Sequence, residues 1–477
     1  MLTSNNTFFL ATGFAILVWL TGRFPGRMGN RGQVLSQTLK ATDIMATGLM
    51  TFALFLGAGN IIFPPFLGHM AGTELMIAML GFLLTGVGLP LLGVLACASV
   101  GGGLEKLTTI FPGKIAITFA VVLFLAIGPL FAAPRTAVVS YELGLLPFIG
   151  ESGAVSLALF SITFFAVALY LALFPGRLVE TVGKVITPLL MGVLVIIAVG
   201  ALLFPQGEAG AATESMISQG FFNGFREGYQ TMDTLGALVF GVVIINAIQN
   251  KGITDTRQVA RYTFIAGLIA SVGLSLVYLV LGYIGATSHQ LVGSVQNGAE
   301  IISLFVDAVF GSWGKVVLAI TVILACLTTA IGLLSACGEY FSRVFPAFNY
   351  RTWVILCALA SALIANVGLN TLLQVTIPAL LIIYPVAIAL IVVTLLKPFL
   401  AKPERVMTFV LIPVGLISLV EGLHAAGLTF IKPAYAVLTH LPLQTEGLVW
   451  LLPGILGGIF AMITSFHSSQ DARPVEG

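Results

Sequence analysis

The stretch Leu54-Phe55-Leu56-Gly57-Ala58-Gly59-Asn60-Ile61-Ile62-Phe63-Pro64-Pro65 sets two glycines and an asparagine inside a long apolar run. Glycine weakens a helix by about 1 kcal/mol relative to alanine. Two of them before an Asn predict a helix broken in mid-span, the other reading being a GxxxG-like packing face. A broken helix exposes carbonyls from its first half and amide N–H groups from its second. The carbonyls suit Na+; the amides, with the positive end of a helix dipole behind them, suit a carboxylate. Gly228-Tyr229-Gln230-Thr231-Met232-Asp233-Thr234-Leu235-Gly236-Ala237 is a second interruption. Asp233 lies near the middle of its run, where a charge costs at least about 2.5–3.5 kcal/mol on insertion scales. An acid kept there needs a cation, a proton or a partner such as Arg226 or Arg135.

Three further stretches carry chemistry. In Ala325-Cys326-Leu327-Thr328-Thr329-Ala330 the adjacent hydroxyls point about 100° apart on a helix. With the Ala325 carbonyl they can converge on a small hard cation, or each can bond a carbonyl of its own helix. Gly128-Pro129-Leu130-Phe131-Ala132-Ala133-Pro134-Arg135-Thr136 predicts a proline-kinked helix. It carries Arg135 inward, either as a gate residue paired with Glu142, Glu227 or Asp233, or as a side chain snorkelling to the headgroups. Glu421 is a second intramembrane acid, for packing or for proton movement. Glu339 and Arg343 form an i,i+4 pair expected to be structural. No Ser/His/Asp or HExxH constellation accompanies these residues, and no GxxxxGK[ST] sequence offers direct ATP coupling.

Twelve apolar runs position them, at roughly 42–67, 74–99, 115–141, 152–172, 186–204, 220–249, 259–285, 314–343, 351–367, 370–396, 405–427 and 447–466. Each can cross about 30 Å of hydrocarbon, and backbone polarity makes such crossings helices. Composition agrees: the 477 residues are 58% apolar and 8% charged, against about 45–50% and about 25% in soluble domains. This excludes disorder and an ordinary soluble globule. A net charge of +2 gives no nucleic-acid footprint. Cys97, Cys326, Cys337 and Cys357 lack metal-like spacing and read as small buried apolar residues.

Placing the residues before the first run in the cytoplasm sends all 21 Lys and Arg inside except Arg135, Arg226, Lys315 and Lys432, as the positive-inside rule requires. Thr7–Leu20 is either an extra short span or part of an upstream start that the working protein does not need. Interrupted runs one and six each open a group of five, the pattern of inverted-repeat transporters. The chain then divides into an N-terminal extension (1–40), two five-helix repeats (41–205 and 206–400), and two further helices with a cytoplasmic tail (401–477).

FALFLGAGNIIFPP within 43–65, GPLFAAPRTA at 128–137 and GYQTMDTLGALVFG at 228–241 resemble the opening, third and sixth spans of the branched-chain amino acid:cation symporter family. The likeness covers essentially residues 40–466. It implies an all-α polytopic protein of the bacterial inner membrane, with the LeuT-type inverted repeat plus two helices. It implies import of leucine, isoleucine and valine with Na+ as coupling ion and no organic cofactor. On that fold the carbonyls of Ala53 and Leu56, with Ala325, Thr328 and Thr329, would face Na+. The amides of Gly57, Ala58, Gly59 and Asn60 would receive the substrate carboxylate. Carbonyls around Thr231, Met232 and Thr234 would receive the ammonium, with Asp233 beside them. The residues by themselves reach a cation-coupled carrier for a small zwitterion. The rival is a proton-coupled permease for other zwitterions or purines, working through Asp233 or Glu421.

The charge asymmetry makes a topological prediction. In a chain whose own cysteines are replaced, a cysteine placed within 205–213 reacts with an impermeant thiol reagent added to whole cells. One placed within 250–255 reacts only after permeabilisation.

Overall fold

The computed structural model describes residues 38–111, 113–150, 153–293 and 295–470. Thr7–Leu20 and Arg473 lie outside the described residues. Among those described, all regular structure is helical. Apart from short turns, the helices are α1 (Ala41–Phe55), α2 (Ala58–Ala71), α3 (Leu75–Leu83), α4 (Leu89–Ser99), α5 (Gly113–Leu125), α6 (Ala132–Gly144), α7 (Ala154–Leu173), α8 (Pro175–Leu203) and α9 (Glu214–Glu227). They continue with α10 (Asp233–Gln249), α11 (Thr256–Thr287), α12 (Gly298–Val344), α13 (Tyr350–Ala365), α14 (Leu369–Leu396), α15 (Pro403–Ala425), α16 (Lys432–Leu438) and α17 (Leu451–Gln470).

Interruptions fall where the sequence holds helix breakers. α1 and α2 are separated at Leu56 and Gly57, both extended. α9 and α10 meet at 43° across Gly228–Met232. α5 and α6 are joined by a π-helical turn, Ala126–Leu130, in which Gly128 leaves helical geometry (ψ −115°) one residue before Pro129. Pro134 sits in the first turn of α6, where a missing N–H costs nothing, so only the first of the two expected prolines marks the kink. Among the described residues, seven helical stretches are long and apolar enough to cross a bilayer, or eight if the bent pair is one span; four shorter apolar helices accompany them. Length and apolarity alone thus count fewer crossings than the twelve runs. Breakers shorten some helices, and Ala58–Ser99 runs through two expected span ends as one stretch. α12 also begins earlier than its apolar run, with a break at Gly311 (φ 61°).

Small residues let backbones touch. A Cβ on Gly68 of α2 would stand 2.0 Å from the Gly282 carbonyl of α11, and one on Gly285 would stand 2.0 Å from the Pro65 carbonyl. This is how membrane helices gain packing where lipid supplies no hydrophobic drive between them. Large apolar side chains such as Val155, Leu159 and Ile162 on α7 point outward, as a bilayer demands. The four cysteines are free and buried. At one end, Lys251 pairs with Asp43 at 2.7 Å and Arg343 with Glu105 at 3.1 Å. On Glu339, Arg343 reaches the backbone carbonyl and not the carboxylate, so the expected i,i+4 pair gives way to one between elements.

Gly68→Val should therefore cost about 3 kcal/mol or more through overpacking, read as a lower thermal midpoint in detergent. Gly192→Ala, where nothing lies within 4 Å, should be neutral or stabilise by up to about 1 kcal/mol.

Candidate substrate site

The site begins with a diverted hydrogen bond. The Leu56 amide still donates to the Phe52 carbonyl (2.9 Å). The next amide, Gly57, donates to Asn60 Oδ1 (2.8 Å) instead of to the Ala53 carbonyl one turn back. Asn60 thus caps α2 from inside and releases Ala53 from the ladder. Its Nδ2 donates to Asp233 Oδ2 (2.6 Å) and to the Tyr278 hydroxyl. Tyr278 donates to the same Asp233 oxygen at 2.7 Å. One side chain therefore bridges the break of α1/α2, the break of α9/α10, and α11.

The second break is held by strain and by its own bonds. Met232 is left-handed (φ 61°, ψ 11°), a conformation costing roughly 1–2 kcal/mol for a residue with a Cβ. Thr231 Oγ1 donates to the Gly228 carbonyl (2.9 Å) and accepts the Asp233 amide (3.4 Å). Asp233 opens α10, where its carboxyl meets the positive end of the helix dipole. The two breaks touch at Gly59, where a Cβ would lie 3.2 Å from Thr231 Cα and 3.3 Å from the Gln230 carbonyl.

They enclose a cavity of about 50 Å³. Gly57, Ala58, Gly59 and Asn60 line it from the first break, Thr231, Met232 and Asp233 from the second, Arg135 and Thr136 from α6, and Thr329 from α12. Leu54, Phe55, Ile127, Phe240 and Leu333 add an apolar wall. Thr234 is not part of this lining; its hydroxyl donates to the Thr85 carbonyl at 3.3 Å. The Thr328 and Thr329 hydroxyls both donate to the Ala325 carbonyl, at 2.8 and 3.1 Å. The helix-internal bonding weighed from sequence is thus present, while the hydroxyl oxygens keep lone pairs for a cation. Thr329 also abuts the first break, its Cγ2 3.3 Å from where a Gly57 Cβ would stand.

Arg135 is 2% exposed and does not pair as expected with Glu142, Glu227 or Asp233; among the described residues it forms no ion pair. Its Nη1 donates to the Gln230 carbonyl at 2.5 Å, and its Cζ lies 5.1 Å from the centre of the Phe63 ring. Phe63 and Gln230 in turn line a vestibule of about 430 Å³, with Phe66, Glu227, Gln296, Asn297 and Asn370. The contacts among Arg135, Gln230 and Phe63 thus link the vestibule wall to the cavity wall. Glu421 is half-buried on α15 and lines neither space. Tyr278 and Phe63 were not singled out from sequence. A tyrosine in the middle of an apolar run was the available signal, since a buried phenol seeks a partner.

A sequence model described as branched-chain amino acid transport protein matches residues 40–468. The chain belongs to this family. It is 49% identical over 425 residues to the branched-chain amino acid transport system 2 carrier protein of Pseudomonas aeruginosa, covering 89% of this chain and 96% of that one. It is 44% identical over 430 residues to the branched-chain amino acid permease BrnQ of Escherichia coli K12, covering 90% and 97%. Among solved structures it is similar to MHP1, a nucleobase-cation-symport-1 family transporter, in a closed conformation with bromovinylhydantoin bound. The TM-score is 0.58 at 13% identity, over 91% of this chain and 94% of that one, a likeness of fold alone. The family and its relatives are carriers and permeases, not enzymes.

The bridge predicts coupled energetics. Asn60→Ala and Tyr278→Phe should each destabilise the folded protein by about 1–3 kcal/mol. Their double mutant should depart from additivity by about 0.5–3 kcal/mol, measured from unfolding in detergent. Strict additivity would mean that the two side chains do not share Asp233.

Proposed function

We propose that this member of the family imports leucine, isoleucine and valine across the bacterial inner membrane by symport with Na+. The observation that carries this reading is the meeting of two helix breaks around one buried cavity, in a chain whose relatives are named as branched-chain amino acid carriers. The amides of Ala58, Gly59 and Asn60 take the carboxylate, while the Gly57 amide, expected to join them, is already given to Asn60 Oδ1. Carbonyls of Thr231 and Met232, with Asp233, take the ammonium, and Thr234, which lies outside the lining, does not. The Met232 carbonyl already accepts the Gly236 amide (2.9 Å), and its second lone pair serves the substrate. Leu54, Phe55, Ile127, Phe240 and Leu333 take the aliphatic chain.

Na+ sits among neutral oxygens from Ala53, Leu56, Ala325, Thr328 and Thr329, a donor set that suits a hard ion. Bound there, it ties α1 to α12. In this reading twelve crossings form two inverted five-helix repeats plus two helices, and the vestibule faces outward. The Asp43–Lys251 and Glu105–Arg343 pairs then close the cytoplasmic end. Rocking of one group of helices against the other opens the site inward. The inside-negative potential contributes about 2.3 kcal/mol per charge per 100 mV. One observation favours proton coupling as a second reading: Asp233 lines the cavity itself. Glu421 lines neither space, so a proton-coupled carrier would work through Asp233.

Labelled-leucine uptake into proteoliposomes tests both. An imposed Na+ gradient should drive accumulation, with isoleucine and valine competing, and Thr328→Ala with Thr329→Ala should abolish the Na+ dependence. Uptake driven by a pH gradient and indifferent to Na+ would transfer the coupling to Asp233.

A further inference from the structure

Arg135 is buried at 2% exposure in the wall of the central cavity. Its Nη1 is engaged by the Gln230 carbonyl, and Phe63 covers it at 5.1 Å. Nε and Nη2 are buried and meet no acceptor. These two nitrogens form the lateral edge of the guanidinium, the fork that grips both oxygens of a carboxylate. Arginine keeps its charge inside proteins, and a buried charge without a counter-charge is strongly unfavourable. The nearby acids do not supply one. Asp233, in the same cavity wall, gives its Oδ2 to Asn60 and Tyr278. Glu227 lines the vestibule, and Glu142 makes no ion pair with Arg135. The cavity is thus built with a positive group left open and a negative group that makes no ion pair with it, its Oδ2 already held by other donors.

We propose that the Nε–Nη2 edge of Arg135 anchors the carboxylate of the transported amino acid, sharing it with the first-turn amides of α2. The inference rests on the cavity being the amino acid site. It assigns Arg135 a substrate-binding and specificity role. The incoming carboxylate supplies the missing counter-charge, so a ligand with the same ammonium and side chain but no carboxylate is rejected.

The test uses the full-length chain, purified in Na+, with labelled leucine displaced by unlabelled leucine or by leucinol. Wild type should prefer leucine by ~100-fold or more, as a site built around a polar group rejects a ligand lacking it. Arg135→Gln should compress that preference below ~10-fold, and Arg135→Lys, which keeps the charge but loses the fork, should fall between. A merely structural role would weaken both ligands together and leave the ratio unchanged; that result in either folded variant overturns the proposal. Should neither variant fold, wild type still decides, because equal displacement by leucinol and leucine means that the carboxylate is not gripped. If wild type binds none of leucine, isoleucine and valine, the substrate reading falls and takes this inference with it. An unchanged ratio with leucine bound removes Arg135 alone.

Discussion

A helix broken inside hydrocarbon exposes amides and carbonyls that water cannot reach, and Asn60 is the group that makes the break tenable. Its carbonyl oxygen takes the Gly57 amide, and its amide nitrogen reaches Asp233 and Tyr278. The same side chain that ends α1 thereby fixes where α10 begins. The other features follow from that bridge. Gly59 leaves little room for a Cβ, which would stand 3.2 Å from Thr231 Cα. Met232 tolerates a left-handed backbone because Asp233 is pinned one residue later. The close packing of α2 on α11 through Gly68 and Gly285 holds Tyr278 within reach.

The bridge also explains how two opposite charges share one cavity wall without neutralising each other. Asp233 Oδ2 is held by neutral donors, and Arg135 meets one carbonyl and a ring face with its Nε and Nη2 left open. Had they paired directly, the cavity would hold a closed ion pair, with little to offer a zwitterion. Keeping them apart leaves a dipolar recess matched to a dipolar ligand.

Much of this was legible in the residues. GAGN announced the first break, and the glycines around Asp233 announced the second. Pro129 marked the kink, and the Thr pair marked the oxygen cluster on α12. What was not legible is of one physical kind. Asn60 and Asp233 are 173 residues apart, and Tyr278 lies 218 from Asn60, so no local spacing records their meeting. Arg135 showed that it needed a partner, but the expected acids were the wrong ones, because a backbone carbonyl and an aromatic face leave no charge signature. The early start of α12 was hidden for a related reason. Its first turns carry Glu300 and Asp307, and an apolar-run criterion passes over a helix that is polar on one side.

The two spaces differ in a way that constrains the transport cycle. The central cavity, about 50 Å³, is smaller than the roughly 300–1,000 Å³ usual for small-molecule sites, whereas the vestibule, about 430 Å³, falls within that range. Phe63 and Gln230 line the vestibule and Arg135 lines the cavity, and the three are linked, the Gln230 carbonyl bonded to the guanidinium and the Phe63 ring covering it. In the proposed reading, a ligand passing from the vestibule to the cavity moves past this linked group. In that reading, opening this group and offering the anchor become one motion of α2, α6 and the bend before α10, which carry Phe63, Arg135 and Gln230. Admission would then depend on the head of the substrate, the group able to complete Arg135, before its aliphatic tail is sampled.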